Sequence, residues 1–166
     1  MPDERLPGTL VAIYASPVAR YLLHWAKDLG YTTVLVEPDP TRIEPIHDAH
    51  ADRTVARCVD AEIDGDTDVV ATDHDRPDLS AQLGEVLRTP ARWIGLMGSP
   101  RHTPPHIEPL EAQGFADDEI ERIQRPIGLN IGSKTPPEIA IATLAGLIAD
   151  RNDRPGGFYA DRGEMI

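Results

Sequence analysis

Residues 9–36 read TLVAIYASPVARYLLHWAKDLGYTTVLV, and this stretch decides the fold class. Residues 9–14 form a β-rich apolar run, bounded by Gly8 before it and by Ser16-Pro17 after it. Val18, Tyr21, Leu22, Trp25 and Leu29 then fall on one face at helical spacing, and Gly30 supplies the stop. A second apolar run, 32–36, ends at Glu37-Pro38. Strand, helix and strand in so short a span make a βαβ unit, which demands parallel strands and a right-handed crossover.

Working outward, residues 39–52 are polar and proline-broken, with room for at most a short helix. Residues 54–58 are expected as a weak third strand and 68–72 as a fourth. Leu79, Leu83, Val86 and Leu87 share a helical face, and 93–97 make a fully apolar fifth strand. A short acidic helix is predicted over 117–123 and a sixth strand over 126–129. Thr135-Pro136-Pro137-Glu138 is a capping box with proline at the first helical position. Ile141, Leu144, Ala145 and Ile148 follow at helical spacing, with Ile139 and Leu147 extending the apolar surface, so this helix packs on a sheet or on another subunit, as in a homodimer. The alternation predicts an α/β fold: a doubly wound, mostly parallel Rossmann-like sheet with helices on both faces. One such domain is expected over 1–151, with a carboxyl-terminal tail over 152–166.

The chain has 166 residues, enough to bury a core without disulfides or a structural metal. With 28 acidic against 16 basic residues and a formal net charge of -12, it lacks the basic surface that nucleic acid or an anionic membrane requires. A single cysteine, Cys58, allows no internal disulfide and no multi-cysteine zinc site, and reads as a small buried residue. The start MPDERLPGTL has no apolar signal core, and no apolar run approaches the ~18 residues of a membrane span, so a soluble cytoplasmic protein is expected.

In doubly wound sheets, ligands sit at the carboxyl ends of the strands where strand order reverses. A dinucleotide fingerprint, G-x-G-x-x-G, would occupy the first turn, where this chain has Tyr14-Ala15-Ser16-Pro17-Val18-Ala19. Ser16 reads as an N-cap and Pro17 as the first helical residue, which needs no ligand. Glu37 stands where an acidic residue would hold a ribose hydroxyl, so NAD(P) binding stays as an alternative. Asp73-His74-Asp75 follows the fourth strand, where ligand-orienting groups belong, although Asp75 could equally cap the next helix. His47 and His50 have ligand-like spacing, but in a short acidic segment solvated histidines are the simpler reading; His102 and His106 are four apart, but Pro104 and Pro105 spoil a regular helix between them, and no metal site or catalytic residue is assigned.

The second half carries a distinctive series: WIGLMGSPR over 93–101, PIGLNIGS over 126–133 and TPPEIA over 135–140. Gly98-Ser99 offers close backbone approach and a hydroxyl, Arg101 a fork for phosphate, and Gly128, Gly132 and Thr135 a loop running into a helix N-terminus. The alternative is that the glycines only satisfy turn geometry and that Arg101 pairs with a surface carboxylate. In combination these motifs closely resemble the carboxyl-terminal Rossmann domain of the XdhC/CoxI family, accessory factors for molybdenum hydroxylases such as xanthine and carbon monoxide dehydrogenases. The resemblance implies a maturation factor or chaperone, rather than an enzyme, that binds the molybdenum cofactor (molybdopterin) or the apoenzyme subunit. It also implies that the amino-terminal half usual in that family is absent or supplied by another chain. Departures are local: Tyr14–Pro17 in place of a glycine-rich turn, Thr72-Asp73 in place of Thr-His, and Ala145-Gly146 in place of Ala-Glu. The candidate ligand-binding set is therefore Ser16, Glu37, Asp73, His74, Gly98, Ser99, Arg101, Gly128, Gly132 and Thr135. An NAD(P)-binding oxidoreductase or nucleotide sensor is the alternative, and a ligand-less dimeric interaction module the third.

Overall fold

The computed structural model describes residues 7–159. The first residues of the expected domain and the end of the expected tail lie outside this range. Six parallel strands run β1 (Thr9–Ile13), β2 (Thr32–Val36), β3 (Arg53–Val55), β4 (Thr67–Ala71), β5 (Trp93–Leu96) and β6 (Ile123–Gln124) in chain order. Across the sheet the order is β3-β2-β1-β4-β5-β6, so the winding reverses between β1 and β4. Ile13 faces Val36 on one side and Ala71 on the other, which puts the carboxyl ends of these three strands level.

Alternation along β1 explains the two layers. Leu10 and Ala12 point to the face covered by helices α1 (Pro17–Asp28) and α5 (Pro136–Arg151), together with Leu22, Leu23, Ala140, Leu144 and Leu147. Val11 and Ile13 point to the other face, where α2 (Leu79–Leu87), α3 (Ile107–Ala112) and α4 (Asp117–Ile120) bury Leu83, Val86, Leu110 and Ile120. This is the predicted Rossmann-like architecture, with helices on both faces.

Several boundaries move. The third strand is Arg53–Val55, and Cys58 opens a 3-10 turn, Cys58–Asp60, where burial pushes its thiol up from the ordinary value. Helix α4 ends at Ile120, and Ile123 belongs to the sixth strand. That strand is Ile123–Gln124 rather than 126–129: Pro126 has no N–H for the ladder, and Gly128 at φ 83 turns the chain back over the sheet end. Asp78, not Asp75, precedes α2. On α5, Ile141 and Ile148 are half-exposed, and the buried stripe is Ala140, Thr143, Leu144 and Leu147. No helix among the described residues is long and apolar enough to cross a membrane.

Candidate ligand cleft

At the carboxyl end of the sheet lies a cleft of about 740 Å³. Three loops wall it: the one after β4 with Thr72 and His74, the one after β5 with Met97 to Pro100, and the one after β6 from Pro126 to Ser133. Val18 of α1 and Ile139 of α5 close its sides. Its lining mixes apolar side chains such as Met97, Ile127, Leu129 and Ile139 with polar residues such as His74, Ser99 and Asn130, the usual make-up of a small-molecule site, and the volume lies within the ~300–1,000 Å³ of such sites.

Each loop is shaped by its sequence. In the loop after β5 the guanidinium of Arg125 is laid against Gly98; a Cβ there would come 2.6 Å from Arg125 Nε. Arg125 donates to the carbonyl oxygens of Ser99 at 2.7 Å and His102 at 3.2 Å, pinning the loop from behind. The loop after β6 docks on α5 through Leu129, whose N–H donates to the Ala142 carbonyl at 3.0 Å. Close approach makes Gly128 obligatory, since a Cβ would lie 2.9 Å from the Ala142 carbonyl carbon and φ is positive. Among the described residues, the backbone N–H groups of Gly98, Ser99, Asn130, Gly132 and Ser133 have no intramolecular acceptor.

The sequence candidates divide. His74, Gly98, Ser99, Gly128 and Gly132 line the cleft together. Ser16 caps α1, accepting from Ala19 N–H at 3.0 Å, and its hydroxyl donates to Thr72 Oγ1 at 2.9 Å, so it braces the cleft rather than facing it. Asp73 holds its own turn by accepting from the Asp75 N–H at 2.9 Å.

Three candidates are placed otherwise than expected. Arg101 is exposed and off the cleft wall, because its N–H folds back on Ser99 Oγ at 3.2 Å and carries the side chain outward. Thr135 starts α5, yet Pro136 and Pro137 remove two N–H groups and Glu138 accepts from the N–H groups of Lys134 and Thr135 at 2.8 and 3.0 Å. The chain's own carboxylate therefore occupies that helix start, and these two hydrogen bonds hold the Glu138 carboxyl below its ordinary range. Glu37 is buried and takes both guanidinium nitrogens of Arg76, at 3.0 and 2.7 Å, as well as the N–H groups of Ala15 and Asp39, each at 3.3 Å. Its oxygens are committed to the protein, not turned to a ribose.

The first turn is equally self-contained. Tyr14, where a dinucleotide turn has glycine, adopts φ 79 and is fully buried. Its hydroxyl donates to Asp78 at 2.9 Å, and Arg76 stacks 4.3 Å from its ring centroid. Burial first, and the Asp78 bond second, push the Tyr14 phenol well above its usual value, so it stays protonated. Among the described residues no group of three or more His, Cys, Asp or Glu side chains is arranged to hold a metal ion.

Two residues of this region were not singled out by sequence reasoning. Thr72 bridges Ser16 to the Ile13 and Tyr14 carbonyls, at 3.0 and 2.9 Å, and lines the cleft. Arg125 was marked only by standing one residue before the PIGL motif.

Comparisons with known proteins bear on the same residues. A family model described as the XdhC Rossmann domain matches residues 10–147. A 75-residue stretch, 45% of the chain, is 39% identical to the uncharacterized protein YqeB of Escherichia coli K12, covering 14% of it. A protein of Bacillus halodurans, described as a xanthine dehydrogenase in its crystal structure, superposes with a TM-score of 0.67 at 24% identity. That match covers 88% of this chain and 45% of the Bacillus chain, and at such identity the likeness is one of fold. The chain thus spans less than half of either relative.

Proposed function

The chain belongs to the XdhC Rossmann-domain family, and from that premise we propose that it is an accessory domain for a molybdenum hydroxylase which takes the phosphate-bearing end of the pterin cofactor into the cleft. The observation that carries this reading is the cleft wall itself. The motifs at 93–101 and 126–133 fold over one sheet end and bring Gly98, Ser99, Asn130, Gly132 and Ser133, whose backbone N–H groups have no intramolecular acceptor among the described residues, around one space.

The donor set suits the cofactor in kind. Amide N–H groups and hydroxyls recognise phosphate oxygens, and His74 and Asn130 offer a ring nitrogen and an amide for a heterocycle edge. Met97, Ile127, Leu129 and Ile139 supply the apolar surface against which a flat ring system can lie. The redox chemistry of the cofactor is that of the hydroxylase; this chain's residues would bind it, orient it and shield it from water. At the carboxyl ends of β1 and β2, by contrast, Tyr14 is buried and Glu37 is paired with Arg76, so the groups a dinucleotide would use there are engaged with the protein.

The test is retention. Purified protein is incubated with released molybdenum cofactor, passed through gel filtration and assayed for pterin fluorescence after oxidation. About one equivalent of pterin should co-elute, and NADH or NADPH at the same concentration should not be retained. Micromolar NADPH binding with no pterin retained overturns the reading in favour of a nucleotide-binding oxidoreductase or sensor.

A further inference from the structure

Arg125 poses a problem in charge balance. Its side chain is partly buried, its Nε is buried without a hydrogen-bond partner, and no carboxylate pairs with it among the described residues. Among the other partly buried guanidinium groups, Arg76 is paired with Glu37, Arg92 with Asp68 and Asp150, and Arg151 with Asp66 and Asp68, while Arg122 is held by the carbonyl oxygens of Leu87, Thr89 and Ala91. In a chain of net charge -12, Arg122 and Arg125 are partly buried cations without a carboxylate among the described residues, and of the two only Arg125 also leaves a buried N–H, at Nε, without a partner, an arrangement that is costly to bury.

Its surroundings point to what balances it. Gly98 separates the guanidinium from the cleft by a single backbone, and a side chain at position 98 would meet Arg125 Nε at 2.6 Å and Nη2 at 2.9 Å. His106 is the neighbouring ionisable group, 4% exposed and with Nδ1 unpartnered. Burial, and then the charge of Arg125, lower its basicity, which favours the neutral imidazole beside that cation. Gly98 and Ser99 of the same loop line the cleft, their N–H groups have no intramolecular acceptor among the described residues, and Ser99 adds a hydroxyl.

We infer that the Gly98–Ser99 end of the cleft is a phosphate-monoester subsite whose positive charge is Arg125, acting across the Gly98 backbone, and not Arg101. The glycine lets the cation approach within van der Waals distance of the chain that the anion touches from the other side. Arg125 is therefore a positioning and charge-supplying residue: it fixes the loop through the Ser99 and His102 carbonyls, and its field favours a dianion where the loop's donors converge. This rests on the cleft being a ligand site, but it does not require the ligand to be a pterin, since a nucleotide phosphate offers the same group.

The experiment pairs each phosphate with its dephosphorylated form. Calorimetric titrations of AMP against adenosine, and of molybdopterin against its dephosphorylated pterin, are run on the full chain as wild type, Arg125→Gln, Arg125→Lys and Arg101→Ala. At least one phosphorylated probe should bind wild type about tenfold tighter than its dephosphorylated partner, as expected of a charge-assisted contact. Arg125→Gln should collapse that ratio towards unity while the dephosphorylated probe keeps its affinity; Arg125→Lys should restore part of it, and Arg101→Ala should leave it intact. A purely structural role would weaken both members of a pair together, and that result overturns the assignment, as does an unchanged ratio in Arg125→Gln. Should Arg125→Gln fail to fold, Gly98→Ala, which displaces the guanidinium, and the wild-type ratio decide: a wild-type ratio of one overturns the subsite. AMP discrimination without pterin binding would sustain the subsite and refute the cofactor reading. Pterin binding indifferent to Arg125 would do the reverse.

Discussion

The two halves of the sheet end meet at one switch in strand order and have opposite fates. On the β1–β2 side, the turn that many Rossmann domains leave open is filled by the chain's own side chains. Tyr14 packs into it, Glu37 closes on Arg76, and both are tied to neighbours by hydrogen bonds. On the β5–β6 side, the loops hold themselves by backbone docking on α5 and by Arg125 from behind, leaving their N–H groups to the cleft. The lesson is that strand order locates a crevice but does not say which part is usable. That depends on whether local polar groups are satisfied by the protein or left for something else.

The closed half should bear most of the stability. Glu37 is buried completely and Arg76 nearly so, so Glu37→Ala strands a buried cation and is expected to cost about 3–5 kcal/mol in urea unfolding. Replacing both, as Glu37→Met with Arg76→Met, should recover most of that loss, because the penalty lies in the unpaired charge. If Glu37→Ala costs less than about 1 kcal/mol, the pair behaves as a surface bridge and the two halves are not different in kind. Tyr14→Gly is the next sharpest. Glycine relieves the positive φ but removes a fully buried ring, for a net loss of about 2–4 kcal/mol in the same assay. A variant as stable as wild type would mean that the turn tolerates being opened.

What the sequence disclosed follows from the range of each signal. The βαβ unit, the Ser16 cap and the Thr135–Glu138 box are short-range patterns, and the structure places all three where they were expected. The sixth strand was misplaced because an apolar Pro-Ile-Gly-Leu run resembles a strand. Ile123 and Gln124, two residues paired with Ile94 and Gly95, are too brief to show periodicity. The stripe on α5 was misjudged because isoleucines lie nearly all round it, and only its docking on α1 and the β6 loop selects the buried side. The Glu37–Arg76 pair joins positions 39 apart, and Arg125 reaches Ser99 across 26, so neither leaves a local mark. The self-occupied start of α5 was legible in principle: a capping-box glutamate already fills the place an anion would take.

The open half should lose ligand geometry before it loses the fold. Gly128→Ala combines φ 83 with a Cβ placed 2.9 Å from the α5 backbone, and an expected cost of about 2 kcal/mol follows from the positive φ and the contact together. The loop after β6 must then lift from Ala142, and ligand retention in the cleft should fall even where thermal melts show the protein folded. Retention equal to wild type in a folded Gly128→Ala protein would show that the docked loop is not part of the site.

The smallest effect concerns His106, which lies behind the open wall while the closed half holds its charges in a matched pair. Its ionisation in the folded protein is shifted below the ordinary 6.5 by burial and by the charge of Arg125. In the unfolded chain the imidazole takes up a proton as pH drops through about 6.5, while the folded protein resists until lower pH. Over that window the unfolded state binds more protons, so this group's contribution to stability is whole above pH 6.5 and is progressively lost on acidification. His106→Asn, which cannot titrate, removes that slope. Unfolding free energies of both proteins measured from pH 7.5 to 5.5 should therefore converge as pH falls, since carboxylates common to both cancel in the difference. A gap that stays constant would mean that His106 binds protons equally in both states, and one that widens towards acid that the fold favours its charged form. In the second case the wall behind Gly98 would hold a further cation beside Arg125, and the contrast with the neutralised Glu37–Arg76 half would be greater.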